Sequence, residues 1–441
     1  MSWKKVKLGD ILKRRRETIK INPDEDYKLV TIRIHHKGVT QRCIMRGSEI
    51  KSPMSAVKAG DFILSGIDAR NGAFGIVPDE LDGAIVTNDF WCLDPDDTKI
   101  EKEFLLFLTS TDFFDFICKQ SSDGMTQRIR LQKDKFYNYE IALPSKEEQK
   151  TILKKLKEQK ANSEILNTEL THQLDLVKKL RQQFLQEAVQ GKLIRNEELE
   201  MRNTEGVGET GAALLERIKA EKAKTGKKEK PLPPIKDDEI PFDIPDNWVW
   251  CRLGDICSKI GSGSTPNGSN YSNEGFPFFR SQNIYNEGLI YDDIKYISSE
   301  VHQQMNGTVV LANDILLNIT GGSMGRCASV PSDFEEGNVS QHVCIIRPIG
   351  VINSFYHKIV LSPFFQKYIF SSTTGAGREG LPKYNLEQFV IPLPPLSIQA
   401  QIVAKVEELM GLCDALEAGI RASKGVNEAL LQQVLREALA G

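Results

Sequence analysis

The chain is poor in the short signatures that mark an enzyme. Its 441 residues contain no GxxxxGK[ST] phosphate loop, no HExxH zinc helix and no Asn/Asp-Pro-Pro-Tyr of amino-group methyltransferases. The motif grounds for nucleotide hydrolysis, metalloprotease or base-methylation chemistry are therefore missing. The 8 cysteines form no CxxC pair and no Cys/His cluster of zinc-ligand spacing, so neither a metal site nor a cofactor is assigned. Scattered cysteines without a signal peptide fit a reducing cytoplasm. No apolar run approaches the ~20 residues needed to cross a bilayer, which excludes a membrane partner. A formal net charge of −3 gives no global bias toward nucleic acid. Locally the balance differs. Residues 1–60 carry 15 Lys/Arg against 6 Asp/Glu, and residues 61–144 carry 8 against 16, a split that would give one basic face.

What the chain does have is itself, twice. Ser145–Gly191 and Pro395–Gly441 align without a gap at a shift of 250 positions, through Gln149/Gln399, Gln182/Gln432, Glu187/Glu437 and Gly191/Gly441. Each reads as a long helix. Ser145 with Glu148 forms a capping box, and Gly191 stands where a C-terminal glycine belongs. A 4-3 spacing picks out Ile152, Leu156, Gln159, Ser163, Leu166, Leu170, Gln173, Val177, Leu180 and Phe184, seven of ten apolar. In the second copy it picks out Ile402, Val406, Leu409, Cys413, Leu416, Ile420, Ser423, Asn427, Leu430 and Val434, eight of ten apolar. A seam sustained over about four heptads wants another helix. The gapless repeat predicts that the two helices pair antiparallel through Leu166, Leu170, Val177, Leu180 and Phe184 on one, and Leu409, Leu416, Ile420, Leu430 and Val434 on the other. Ile152 to Phe184 spans 33 residues, on the order of 50 Å of helix.

The repeat extends outside the helices. Gly60–Pro78 answers Asn313–Pro331, Val86–Pro95 answers Val339–Pro348, and Ile141–Pro144 answers Ile391–Pro394. Five segments follow: a globular domain over 1–144, a helix over 145–194, a connector over 195–247, a second globular domain over 248–394 and a helix over 395–441. Leu29–Ile34, Phe62–Ser65 and Ile315–Ile319 read as strands. Lys102–Lys119 and Ile352–Phe370 read as helices. The connector is charged, helical near Ala212–Lys224 and extended at Lys227–Pro234. The expected fold class is α/β (mixed α+β): two globular domains separated by two long antiparallel coiled-coil helices, with an internal pseudo-two-fold repeat.

Framework and helices match across the halves, whereas the loops do not. Ile32–Lys37 and Gln41–Arg46 have no counterpart in Gly261–Gly275. One scaffold with two loop sets suggests one partner surface used twice and two different things being read. Arg and Lys suit guanine edges and phosphates, Asn and Gln suit adenine, and Ser and Thr suit either. The first domain's candidates are Arg33, His35, His36, Lys37, Arg42, Arg46, Arg70, Asn71, Gln127, Arg128 and Arg130. The second domain's are Arg280, Gln282, Asn283, Asn318, Thr320, Ser323, Arg326, Gln341, Arg378, Lys383 and Tyr384. Gly375, Gly377 and Gly380 make a GxGxxG, but it follows an apparent helix rather than a strand and reads as a loop. Glu158 and Lys160 lie on the seam helix and read as solvated.

The duplicated architecture resembles the specificity (S) subunit of type I restriction–modification systems. Ile141–Ile152 (IALPSKEEQKTI) and Ile391–Glu417 resemble the start of that family's two conserved helical regions, and Leu180–Leu193 (LRQQFLQEAVQGKL) the end of the central one. Leu214–Ala223 (LLERIKAEKA), Ile240–Ile256 and GSTP with Pro277–Ile284 (PFFRSQNI) resemble the approach to a second target-recognition domain. The first domain departs from the pattern by starting almost at Met1 and lacking GSTP. The resemblance implies a DNA-binding, non-catalytic subunit whose two target-recognition domains read a bipartite, asymmetric site. It also implies recruitment of two methyltransferase subunits and, through them, restriction subunits. The rival readings are a single-chain DNA methyltransferase or nuclease with a coiled-coil spacer, and a coiled-coil adaptor of two protein-binding domains.

Overall fold

A computed structural model describes residues 3–123, 129–194, 209–224, 231–266, 268, 270–372 and 380–440. The chain divides into two compact units: Met1–His172 with Ile420–Gly441, and Gln173–Gly419. The division falls inside two long helices, Lys146–Val189 and Leu396–Ala440. Each unit therefore contains one globular part and a stretch of both helices. Among the described residues, no helix is long and apolar enough to cross a membrane.

In unit 1 the sheet at the centre runs Leu12–Arg15, Phe90–Pro95, Phe62–Ser65, Phe74–Ile76, all antiparallel. Its Phe62–Ser65 strand is buried throughout, because it is covered on both sides. Phe62 and Leu64 point into a core with Phe104, Leu108, Phe114 and Phe136. Ile63 points the other way, to Val30, Ile32, Val39 and Cys92. Alternation along a strand thus feeds two cores. The second core belongs to a five-stranded sheet ordered Thr18–Ile19, Met54–Ala56, Ile85–Thr87, Asp26–Ile32, Val39–Arg46.

Unit 2 repeats the plan. Its central sheet is Cys257–Ser262, Val343–Pro348, Ile315–Asn318, Cys327–Ser329. Ile315 and Leu317 face the helix-side core, while Leu316 faces Phe279, Val310 and Val339 of a second four-stranded sheet. The connector helix, Gly211–Lys224, buries Leu214 and Ile218 in the helix-side core of this unit.

Two of the expected helices are broken. Lys102–Lys119 divides into Lys102–Thr109 and Asp112–Gln120, and Ile352–Phe370 divides into Asn353–Leu361 and Pro363–Ser371. In the second case Pro363 cannot donate to the preceding turn, and the Ser362 side chain accepts from Phe365 N to start a new helix. Lys227–Lys230 of the connector lies outside the described residues.

The first long helix begins and ends on the expected residues. Ser145 N–H and Oγ–H both donate to Glu148 Oε2, at 2.9 and 2.7 Å. Gly191 takes φ 73° while Lys192 N donates to Glu187 O at 2.9 Å, the i to i+5 bond of a glycine-terminated helix. In unit 1, Asn427 Nδ2 donates to Ser163 O at 3.0 Å and Lys424 Nζ reaches Thr171 Oγ1 at 3.5 Å. The number falls on one helix as it rises on the other, so the helices run antiparallel.

The seam differs from the expected one by a single residue in alternate layers. Leu156, Ser163, Leu170 and Val177 are buried, as are Val406, Cys413 and Asn427, with Phe184, Ile420 and Val434 half-buried. Leu409 is half-buried as well. Leu166, Leu180, Leu416 and Leu430, however, are 45, 38, 52 and 54% exposed. Their places are taken by the next residues, Asn167, Arg181, Glu417 and Leu431, all half-buried. Arg181 and Glu417 fit there because their ends reach partners across the pair: in unit 2, Arg181 binds Asp414 at 2.6 Å and Glu417 at 3.3 Å. The displaced leucines face outward.

Candidate nucleic-acid interface

One end of each central sheet collects the loops that carry the candidate residues. In unit 1 the hub is the turn between Phe62–Ser65 and Phe74–Ile76. Gly66 N donates to Asp89 O at 2.7 Å and Gly66 O accepts from Leu131 N at 2.8 Å. A Cβ at Gly66 would stand 2.9 Å from Asp89 O, so only glycine permits this approach. Arg130 joins the hub through Asp89, 3.0 Å away. On the other side of the turn sits the tip of the Asp26–Ile32/Val39–Arg46 hairpin. His35 N donates to Asn71 O at 2.8 Å and His36 N to Gly72 O at 3.0 Å.

This tip is strained and held. His35 and His36 adopt φ 60° and 56°, a region that costs a non-glycine residue roughly 1–3 kcal/mol. The His36 ring is held at the surface, with Nε2 3.0 Å from Asp115 and its edge on Phe74 at 5.1 Å. His36 is thus held by its contacts although still exposed, as are Arg33, His35 and Lys37. Arg70 and Asn71 stand on the turn itself. Arg42 and Arg46 are elsewhere: Asp26 pairs with Arg46 and Ile32 with Val39, so Arg46 lies about 20 Å down the hairpin from its tip. Arg46 binds Asp26 at 3.4 Å, and Arg42 is the extra residue of a bulge opposite Leu29/Val30. Gln127 and Arg128 lie outside the described residues.

In unit 2 the equivalent turn, Asn318–Arg326, forms the same hub. Ile319 N donates to His342 O at 3.0 Å, and Leu381 N donates to Ile319 O at 2.9 Å. Thr320 Oγ1 and His342 Nδ1 are 2.8 Å apart, and Thr265 Oγ1 donates to Gln341 Oε1 at 3.0 Å. Arg326 stacks over the Tyr285 ring at 4.8 Å. Asn318 is wholly buried; its amide donates to Ser281 O at 2.9 Å and Ser323 Oγ at 3.2 Å, tying two loops together. Asn283 also presents no surface, because its side chain accepts from Arg280 N at 3.0 Å and donates to Ile290 O at 3.0 Å. Arg280 and Gln282 both reach Asp293 Oδ2 at 3.1 Å. Lys295 and Arg280 hold the Asp293 carboxyl below the usual carboxylate range. Lys383 pairs with Glu387 at 3.1 Å, and Tyr384 is exposed. Arg378 lies outside the described residues.

The turn, the strand end and the returning loop therefore gather Arg70, Asn71, Arg130 and the hairpin tip in unit 1. In unit 2 they gather Thr320, Ser323, Arg326 and Gln341. Sequence reasoning missed Asp89, Asp115, His342 and Asp293, which position these side chains; each acts on a residue distant in the chain or, for Asp293, from φ 53° with no local signal. Asp61, Cys92 and Asp94 lie close enough together to suggest a metal site. The Arg15 guanidinium already sits among them, bound to Asp61, 3.2 Å from Cys92 Sγ and 3.4 Å from Asp94. Burial pushes the Cys92 thiol up to about 11. All eight cysteines are unpaired.

Comparison with known proteins bears on both units. The model of the type I restriction modification DNA specificity domain matches residues 1–176 and 245–423. The type I restriction enzyme EcoAI specificity subunit of Escherichia coli is 30% identical over 259 residues, covering 56% of this chain and 42% of that protein. The EcoDI specificity subunit of the same species is 24% identical over 352 residues, 78% of this chain and 70% of that one. The matched stretch thus spans about two-fifths of the first of these relatives. Among solved structures, the HsdS subunit from Thermoanaerobacter tengcongensis shares the fold at TM-score 0.51 and 20% identity, covering 100% of this chain and 97% of that one. A chain from a study of complex assembly and conformational transition of the type I R-M system does so at TM-score 0.57 and 20% identity, covering 99% and 97%. Matched across both globular parts, the chain belongs to the type I restriction modification DNA specificity family, as a specificity subunit.

Proposed function

We propose that each unit reads one segment of an asymmetric, bipartite stretch of double-stranded DNA, and that the chain performs no covalent chemistry of its own. The observation that carries this reading is one sheet end furnished twice with different side chains. Unit 1 offers Arg70, Asn71, Arg130 and the cationic tip around Lys37; unit 2 offers Thr320, Ser323, Arg326 and Gln341. Such groups pair with base edges and phosphates, and unlike sets select unlike segments. Two helices of 44 and 45 residues support an unread spacer of fixed length between the segments.

The partners follow from the outward leucines. Unit 1 exposes Leu166, Val426 and Leu430, and unit 2 exposes Leu416, Leu176 and Leu180, the same three positions at the 250-residue shift. Two matched apolar patches suit two copies of one helical partner. In this reading the partner is the methyltransferase subunit, with restriction subunits joining through it.

The test is binding by the complex reconstituted with methyltransferase subunits, using duplexes in which either half of the target is scrambled. Arg70→Ala with Arg130→Ala should abolish discrimination at one half and leave the other intact. Arg326→Ala should do the reverse. Equal losses on target and random duplex for both variants would reduce these residues to phosphate contacts and contradict the reading.

A further inference from the structure

Among the exposed residues of the unit 1 hairpin tip, Ile34 is the apolar one. It is 42% exposed, between exposed Arg33 and His35. Scattered apolar residues on a surface are ordinary, but the mounting of this one is not. The loop that carries it is closed by Arg33 N donating to Gly38 O at 2.9 Å. It is fastened to the central turn through Asn71 O and Gly72 O, and to the helix Asp112–Gln120 through His36 and Asp115. Two successive histidines hold left-handed backbone to make this shape, where glycine or asparagine would do so without strain. Strain of this kind persists where the side chains displayed have a use. The result is an isoleucine fixed in place, flanked by groups suited to phosphates and guanine, and adjoining Arg70 and Asn71.

We propose that Ile34 is a specificity-determining residue for the DNA segment read by unit 1, and that its contact is the C5 methyl of a thymine. The inference rests on the DNA-reading function proposed above. Its chemistry is narrow, because the thymine methyl is the apolar group that the four standard bases display in the major groove. Its rigid mounting lowers the entropy lost on contact.

The test pairs a protein change with a DNA change. Duplexes carrying the mapped segment are made with each thymine replaced in turn by deoxyuridine, which removes only the methyl group. They are titrated with the full complex containing either the unsubstituted chain or Ile34→Ala. One replacement should weaken binding by the unsubstituted chain about four-fold, the worth of one buried methyl, and should have no effect on Ile34→Ala. Ile34→Val, which keeps a branched methyl surface, should retain most of the sensitivity. Losses that simply add, no thymine in the segment, or sensitivity unchanged in Ile34→Ala would overturn the assignment while leaving DNA reading by unit 1 intact. Loss of all sequence preference by the unsubstituted complex would instead remove the reading beneath it.

Discussion

Gln149 and its repeat partner Gln399 offer a stability test whose size can be worked from the bonds. Both are fully buried near the start of a long helix. The Gln149 Oε1 accepts from Glu101 N at 2.8 Å, and its Nε2 donates to Lys99 O and Pro144 O, both at 2.9 Å. One side chain thus ties the helix to the segment before it and to the loop before the helix Lys102–Thr109. Gln149→Ala would leave one backbone N–H and two carbonyls without their partner. A buried group left unsatisfied costs about 1–3 kcal/mol. Two of the three bonds to Gln149 are only partly buried, so water would recover part of the loss and about 2–4 kcal/mol is expected. Gln399 accepts from Ile352 N at 2.9 Å and donates to Pro394 O at 2.8 Å; with one fewer partner, Gln399→Ala should cost less. A chain of two units need not unfold in one step, so amide hydrogen exchange read peptide by peptide is the suitable assay. Gln149→Ala should speed exchange across Lys99–Leu105 and Ile141–Leu153 and leave the peptides around Ile352 unchanged. A protection loss under ~0.5 kcal/mol, or one shared equally by both units, would refute the argument.

Three further outcomes follow. Leu170→Ser or Val177→Ser, in the buried seam, should cost roughly 2–4 kcal/mol in urea unfolding, whereas Leu166→Ser and Leu180→Ser should leave stability nearly unchanged and lower the number of methyltransferase subunits retained on a sizing column. Arg33→Ala, at the hairpin tip, should weaken the unit 1 segment by roughly 1–3 kcal/mol, and Arg46→Ala, at the far end of the hairpin, should cost less; titration of both against the same duplex decides this. His357 donates from Nε2 to Cys327 O at 3.3 Å, and burial pushes its pKa down from 6.5 to about 4. The unfolded imidazole therefore takes up a proton at pH values where the folded one does not. Stability contributed by this group is full above about 6.5 and falls as pH drops toward about 4, by about 2 kcal/mol at pH 5. His357→Gln should remove that part of the difference between urea midpoints at pH 7 and 5.

Local order told most of the framework. Phe62–Ser65 is a strand with the bounds its β-branched and aromatic run implies, and Ser145, Glu148 and Gly191 mark a helix whose caps act through neighbours in the chain. The seam was half legible. The layer through Leu156, Leu170 and Val177 follows the apolar period, but Leu166 and Leu180 look like seam residues until Arg181 is seen to reach Asp414 and Glu417. Apolarity cannot tell an inward leucine from one awaiting a partner. At the candidate interface the sequence named Arg70, Asn71 and Arg130, which share one sheet end in unit 1, and Thr320, which stands beside His342 in unit 2. It could not separate Arg33 from Arg46, since hairpin register places one at the tip and the other at the base. Nor could it show that His36 is held by Asp115, 79 residues away in the chain, or that Asn283 is wholly buried.

Two unlike loop sets on one repeated scaffold, if they read two unlike DNA segments, leave a record in the modified DNA of the host. The most direct measurement maps methylated adenines across the host genome with this gene present and deleted. A gene-dependent motif of two different segments is expected, separated by a spacer of fixed length, with one modified adenine per segment on opposite strands. Replacement of unit 1 loop residues should alter one segment alone. A continuous palindromic motif, methylation on one strand only, or a motif unchanged by loss of the gene would contradict it.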